Sequence, residues 1–127
     1  MLAKIVLWFT GLSLGLYGAA CLFSPELAAN YIGYQLIAAD TTIEVIAMYG
    51  GLQLGFGLFC IFSALSSTHT KSAIVAVCLV MGGLTVSRTF GIASVSGNPG
   101  EYTYGAVIYE SLTAALALLA LRQSKQL

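Results

Sequence analysis

Residues 42–65 read TIEVIAMYGGLQLGFGLFCIFSAL, an apolar stretch whose one charged side chain, Glu44, lies near its beginning. At about 1.5 Å per helical residue, the stretch is long enough to cross the roughly 30 Å hydrocarbon core of a bilayer. It therefore predicts a transmembrane helix.

Three further stretches have the same character, at residues 3–23, 72–95 and 104–122. The chain of 127 residues is 58% hydrophobic and only 8% charged, which is too apolar for a soluble domain. The four spans leave no room for a second domain. We expect an all-α fold in which residues 1–127 form one transmembrane four-helix bundle.

The connections between the spans are short. Residues 24–26, Ser-Pro-Glu, combine an N-cap residue, a proline at the first helical position and an acid near the positive end of the helix dipole. They predict a short interfacial helix that ends at Gly33. The second connection, residues 66–72, is predicted to be a tight polar turn, and the third contains Asn-Pro-Gly at 98–100, which breaks a helix.

The charged residues near the ends of the spans predict the orientation in the membrane. Lysine and arginine are enriched on the cytoplasmic side, and four crossings place all the terminal and loop cations on one side. The acidic loop residues fall on the other side, with tyrosines that can form an interfacial belt. We therefore expect both termini in the cytoplasm. The cations are Lys4, Lys71, Arg122 and Lys125, the acids are Glu26, Asp40 and Glu101, and the tyrosines are Tyr31, Tyr34, Tyr102 and Tyr104.

Small residues recur at helical spacing on three spans, which predicts close helix contacts within one chain or between chains. They are Gly11, Gly15 and Ala19 on the first span, Gly51 and Gly55 on the second, and Gly83, Ser87 and Gly91 on the third.

Three ionisable residues lie within or at the edge of the spans: Glu44, Arg88 and Glu110. Such groups are costly in lipid and mark paired or functional sites. Arg88 and Glu110 lie at similar depths, roughly 10 Å and 9 Å below the predicted outer ends of consecutive helices. We predict that they form an ion pair in the outer half of the bundle, as a register-fixing contact or as part of a ligand site.

Glu44 has two interpretations. Residues 41–44, Thr-Thr-Ile-Glu, match a capping box, in which the acid bonds back to the start of the helix. Glu44 also shares a helical stripe with Gly51 and Gly55, which would turn it toward the packed interior and within reach of Arg88. We predict that it joins the pair directly or through a water.

Tyr49 and Gln53 lie one turn apart on nearly the opposite face from Glu44. Gln53 falls near the middle of its span, where an unpaired amide is expensive. We expect it to bond to another helix or to another subunit, and we include both residues in the candidate polar cluster.

Several classes of site find no support. Cys21, Cys60 and Cys78 stand singly within apolar runs, and His69 is the one histidine, which argues against a metal site, a disulfide framework and haem ligation by paired histidines. No nucleotide-binding glycine loop is present, so no cofactor is predicted. The few basic residues form no stripe for nucleic acid.

The chain resembles an uncharacterised bacterial family of small four-span membrane proteins of unknown function, and its layout is similar to that of DoxX-like proteins. The resemblance covers nearly the whole chain. It implies a four-helix fold in the bacterial inner membrane with a shared polar cluster, not an activity. It rests on the first span with residues 24–26, on Glu44 with residues 48–52, on Ser87, Arg88 and Gly91, and on Glu110.

Three functions fit these features. The first is an accessory or binding protein, whose charged cluster recognises a small amphiphile or fixes contact with a larger membrane complex. The second is an intramembrane enzyme acting on a lipid, quinone or isoprenoid, with Glu44 or Glu110 as the acid or base. The third is a small homo-oligomeric proton-coupled transporter, although the first span carries no acid. Membrane lipid is the expected surrounding partner in all three.

The orientation can be tested by cysteine labelling in intact cells. With the native cysteines replaced, Gly100→Cys should react with a membrane-impermeant thiol reagent and Thr70→Cys should not, because the former lies outside and the latter faces the cytoplasm. The opposite labelling pattern would show that the orientation is inverted.

Overall fold

The computed structural model of the protein describes residues 1–124, and the fold is all-α over that range, as predicted. The elements are α1 (Leu2–Phe23), α2 (Pro25–Ile32), α3 (Ala39–Val45), a π-helical segment (Ile46–Gly51), α4 (Leu52–Leu65), α5 (Ser67–Ser94) and α6 (Glu101–Ser124).

Four of the helical stretches are long and apolar enough to cross a membrane, so the chain is a small multi-pass membrane protein. They are Leu2–Phe23, Ala39–Leu65, Ser67–Ser94 and Glu101–Gln123. Each agrees with a predicted span. Lys125, one of the cations used for the orientation, lies outside the described residues.

The short helix predicted between the first two spans is α2. Ser24 is its N-cap residue and Pro25 its first residue, and the helix ends at Gly33, whose φ of 83° is left-handed. Glycine adopts this backbone conformation without the steric cost that other residues meet. The Ser24 side chain makes no capping bond, but its carbonyl accepts a hydrogen bond from the Leu27 amide at 3.0 Å.

The capping box predicted at residues 41–44 is wrong. The helix begins earlier, at Ala39, and its N-cap is Ala38. Thr42 therefore lies inside the first turn, where its hydroxyl donates back to the Ala38 carbonyl at 3.4 Å. Glu44 falls too far into the helix to reach the amides at its start.

The connection between the second and third spans is shorter than predicted. α4 ends at Leu65 and α5 begins at Ser67, so Ser66 alone, in extended conformation, joins them. The Thr70 hydroxyl lies 3.0 Å from the Ser63 carbonyl and 2.7 Å from the Ser66 carbonyl. The Thr70 hydroxyl thus hydrogen-bonds to carbonyls at the end of α4 that have no partner within that helix. These bonds stabilise the one-residue connection at which the chain reverses direction.

The chain divides into two compact units. Unit 1 comprises Met1–Leu7 and the chain from Ser63 onward, and unit 2 is Trp8–Phe62.

In unit 2, α1 and the second span approach each other backbone to backbone through glycines. A Cβ added at Gly18 would collide with the Leu54 amide nitrogen, and one added at Gly57 would lie 2.7 Å from the Gly15 Cα. Neither position has room for a side chain. A Cβ at Gly50 would likewise meet the Leu22 Cα at 2.9 Å.

The predicted small-residue contacts are thus correct in part for α1, where Gly11 makes one and Gly18 makes another that was not predicted, and they involve other glycines on the second span. Contacts of the third span between chains stay a prediction. A Cβ at Gly55 meets nothing within 4 Å among the described residues, and the same holds at Gly83 and Gly91. Gly50 and Gly57 make the contact that was assigned to Gly51 and Gly55. Gly50 and Gly57 can share one helix face, and so can Gly51 and Gly55. Spacing alone therefore does not show which of the two pairs contacts α1.

The π-helical segment explains part of this difference. Val45 and Gly50 are both buried although they lie five residues apart, and the buried face continues through Gly57 and Cys60. A π turn has hydrogen bonds from i+5 to i, so it shifts the face of a helix relative to a regular 3.6-residue repeat. The stripe of Glu44, Gly51 and Gly55 was predicted with a regular 3.6-residue repeat, so it does not coincide with the packed face of the second span.

Unit 1 is built on the antiparallel hairpin of α5 and α6, joined by residues 95–100, which contain the predicted Asn-Pro-Gly break; α6 begins three residues earlier than the predicted span. Its buried positions recur every three or four residues on each helix, which is the pattern of a packed helical face. They include Ala73, Ile74, Val77 and Met81 on α5, and Glu110, Thr113, Ala117 and Ala120 on α6.

The glycine contact in unit 2 yields a matched pair of substitutions. Gly57→Ala should destabilise the protein by about 1–3 kcal/mol, because the new methyl group overlaps α1. Gly55→Ala, on the same helix, should change stability by no more than about 1 kcal/mol, because its methyl group enters open space. Unfolding in mixed micelles, followed by circular dichroism, measures both. Equal destabilisation of the two variants would contradict the assigned contact.

Candidate functional site

The predicted ion pair between Arg88 and Glu110 is present in unit 1. Arg88 Nη2 lies 2.7 Å from Glu110 Oε1, and Arg88 Nε donates to Glu110 Oε2 at 3.1 Å. This two-bond geometry uses the planar fork of the guanidinium and is the strongest form of an arginine–carboxylate contact. It ties the last third of α5 to the middle of α6.

The two partners differ in exposure. The Glu110 side chain is 6% exposed, whereas the Arg88 side chain is 26% exposed. Glu110 lies on the face that also carries Thr113 and Ala117, both of which are buried. The acid is thus enclosed within the hairpin while the arginine keeps one side accessible.

Tyr102 completes the site from the first turn of α6. Its ring centroid lies 5.8 Å from Arg88 Cζ, within the range of a cation–π contact. The sequence predicts Tyr102 in an interfacial belt and does not by itself predict this contact. A signal was available, since Tyr102, Ala106 and Glu110 are spaced by four residues and therefore share one helix face.

A cavity of about 350 Å³ opens beside the arginine. Arg88 forms part of its wall, with the end of α5, the α5–α6 connection and Thr103 forming the rest. Gly97 in the connection has a φ of 124°, which a residue with a side chain rarely adopts. The lining residues are Arg88, Gly91, Ile92, Val95, Ser96, Gly97, Asn98, Pro99 and Thr103.

This lining combines apolar walls with a few polar groups, the usual composition of a small-molecule site. Ile92, Val95 and Pro99 supply apolar surface, while Ser96 and Asn98 supply hydrogen-bonding groups. Glu110 does not line the cavity. Glu110 therefore fixes the position of Arg88 from outside the cavity, and Arg88 is the charged group that a ligand in the cavity would contact.

The other predicted members of the cluster, Glu44, Tyr49 and Gln53, lie in unit 2. The association of Glu44 with Arg88 stays a prediction, and so does a bond from Gln53 to another helix or subunit. Within unit 2, Glu44 is exposed, and so are Gly51 and Gly55 on the same stripe. The expectation that this stripe is buried is wrong, because the packed face of the span passes through Val45 and Gly50.

Tyr49 lies on the π-helical segment and is half-buried. It packs against the buried cluster of Cys21, Ala28 and Val45. Its hydroxyl is 3.5 Å from that of Tyr34, and the two rings meet edge to face with centroids 6.2 Å apart. Tyr49 thus connects the second span to the segment after α2. This structural role was not predicted from the sequence.

No metal site is formed by the described histidine, cysteine, aspartate and glutamate residues, none of which gather in groups of three or more. Cys21 and Cys60 are buried and Cys78 is half-buried, each as a free thiol. They occupy helix-packing positions.

With the fold and the site described, the chain can be compared with known proteins. It belongs to the family described as Domain of unknown function (DUF4345), whose model matches residues 2–121. The match covers nearly the whole chain, in agreement with the resemblance inferred from the spans and the charged residues. Comparison with curated proteins and with solved structures gives no match.

The ion pair can be tested by a double-mutant cycle. Arg88→Met or Glu110→Leu alone should cost about 3 kcal/mol or more, because each leaves an ionisable partner enclosed without its counter-ion. The double variant should recover most of that loss, because two apolar side chains replace the pair. Unfolding in mixed micelles gives the four stabilities, with Arg122→Met at the exposed end of α6 as the control. Strict additivity of the two losses would contradict a direct contact.

Proposed function

We propose that the protein is a binding or accessory component of the bacterial inner membrane that holds a small amphiphile in the cavity beside Arg88. The observation that carries the proposal is that Arg88, anchored by two hydrogen bonds to Glu110, also forms part of a cavity wall. A register-fixing ion pair requires no cavity, whereas a ligand site requires both a fixed polar group and space next to it.

The charge of the site favours an uncharged polar head group. Glu110 balances the charge of Arg88, so the cavity gains a directional donor without a net positive charge. Ser96 and Asn98 add neutral hydrogen-bonding groups. A carbonyl or hydroxyl head can accept hydrogen bonds here, while Ile92 and Val95 contact the beginning of its hydrocarbon part. Monoacylglycerols, quinones and isoprenoid alcohols have this chemistry.

The geometry supports binding over the catalytic alternative. A general acid or base must reach the reacting atom of its substrate within hydrogen-bond distance. Both oxygens of Glu110 bond to Arg88, and Glu110 is not part of the cavity wall. The same arrangement speaks against proton exchange at this carboxylate, which a coupled transporter would use.

The proposed orientation has both termini in the cytoplasm and the Arg88 cavity toward the outer surface. Its support is the distribution of charge along unit 1. Lys4, Lys71 and Arg122 lie near the helix ends opposite the α5–α6 connection, while Glu101 begins α6 beside that connection.

A photoreactive monoacylglycerol tests the site directly. The probe carries a diazirine near its head group, and we expect it to label peptides within residues 88–103 of the purified protein. Gly91→Phe should reduce this labelling about tenfold, the effect of about 1.4 kcal/mol in binding free energy, because the ring projects into the cavity. Gly91 lines the cavity, and a Cβ added there meets no atom within 4 Å, so a side chain can be attached to the helix at this position.

Gly83→Phe is the matched control. It lies on the same helix, also has open space at its Cβ position, and does not line the cavity. Labelling in this variant should equal that of the unmodified protein, and excess unlabelled monoacylglycerol should abolish it. Equal labelling of the two phenylalanine variants, or labelling spread over all four spans, would refute the proposal.

A further inference from the structure

A second cavity, of about 210 Å³, lies at the opposite end of unit 1. It is formed where the beginning of α1, the beginning of α5 and the end of α6 meet. No function considered above involves it. Its lining residues are Ala3, Ser67, Thr70, Lys71, Ile74, Ala120 and Leu121.

The polar and apolar parts of this lining are separated. Lys71 and Ser67 lie one turn apart on α5 and therefore share a face. Ser67 is the first residue of α5, so the positive end of the dipole of that helix lies at the same rim. Ala3, Ile74 and Leu121 form apolar walls.

Two more cations lie at the same helix ends as this cavity. Lys4 follows the lining residue Ala3, and Arg122 follows the lining residue Leu121. Lys71 lines the cavity, whereas Lys4 and Arg122 are exposed one residue away from its wall.

Side-chain carboxylates are distant from this opening within the described part of unit 1. Glu110 precedes Ala120 by ten residues, or about 15 Å along α6, and it is already paired with Arg88. Glu101 lies at the far end of the same helix. The cations around the cavity therefore have no acidic side chain of unit 1 beside them to balance their charge.

We infer that this cavity binds the head group of an anionic phospholipid. Its phosphate is held by Lys71 and Ser67, with Lys4 and Arg122 adding attraction, and the first part of an acyl chain lies against Ala3, Ile74 and Leu121. The apolar walls select a lipid over free phosphate, because inorganic phosphate gains nothing from apolar surface. Lysine and arginine side chains near helix ends place their charges at the depth of the head groups. The site is independent of the one beside Arg88.

Native mass spectrometry of the detergent-solubilised full chain tests the inference. The protein is titrated with phosphatidylglycerol or phosphatidylcholine of the same acyl composition. One phosphatidylglycerol should bind in preference to phosphatidylcholine. Lys71→Gln should reduce that preference about fivefold, the contribution of one cation near an anionic head group. Lys71→Arg should keep it, because the charge is retained.

Two controls separate the site from general charge effects. Ser94→Asp lowers the net charge by one, as Lys71→Gln does, but at the other end of α5, and it should leave the preference unchanged. Ser72→Ala alters an exposed neighbour that does not line the cavity and should also have no effect. Circular dichroism checks that each variant keeps its helical content.

Three outcomes would overturn the inference: equal binding of the two lipids, an unchanged preference in Lys71→Gln, or the same loss in Ser94→Asp. Displacement of the bound lipid by millimolar inorganic phosphate would show instead that the site recognises free phosphate. Persistence of the lipid under that competition supports the lipid as the ligand.

Discussion

An ionised side chain in the hydrocarbon core of a bilayer has no water to solvate it, and it must find its counter-charge within the protein. Arg88 and Glu110 meet this requirement by bonding to each other through two hydrogen bonds. The register of α5 against α6 depends on that contact. A one-residue slip of either helix would turn its charged side chain by about 100° away from the partner.

The same constraint explains why this contact was predictable from the sequence. Very few groups in the spans can balance an arginine, and consecutive helices are normally antiparallel neighbours. Matching depth along the two helices therefore identified Glu110 as the partner. The spans themselves were predictable because only helices satisfy the backbone of a chain in lipid, so a long apolar stretch has few alternatives.

The contacts that the sequence did not reveal depend on local backbone geometry. Gly50 and Gly57, not Gly51 and Gly55, contact α1 because of the rotational phase of the second span, that is, which face of the helix is turned toward α1. That phase is set by the π-helical segment at Ile46–Gly51, which has no distinct hydrophobic pattern. The start of α3 at Ala39 was missed for a related reason, since neither Ala38 nor Ala39 is a strong N-terminal signal. The cavity beside Arg88 depends on the path of residues 95–100, which composition does not determine.

The two units are held together internally by different physical means. In unit 2, glycines let α1 and the second span approach until their backbones touch, so dispersion contacts between main-chain atoms replace side-chain packing. In unit 1, the hairpin combines a packed face of small and branched side chains with one ion pair. The two cavities described lie at opposite ends of the hairpin, and Ala3 of α1 completes the wall of the one beside Lys71.

These two cavities differ in charge, and the difference follows from where the acids lie. Beside Arg88 the cation is balanced by Glu110, so polar recognition there depends on the direction of hydrogen bonds more than on net charge. Lys71 lines the other cavity, Lys4 and Arg122 each follow a lining residue, and the acidic side chains of the hairpin lie farther along α6. Attraction there extends beyond hydrogen-bond distance and weakens with ionic strength. In the two proposals, one hairpin distinguishes a neutral amphiphile at one end from an anionic lipid at the other, because a carboxylate is bonded to Arg88 and none lies beside Lys71 in the described part of the hairpin.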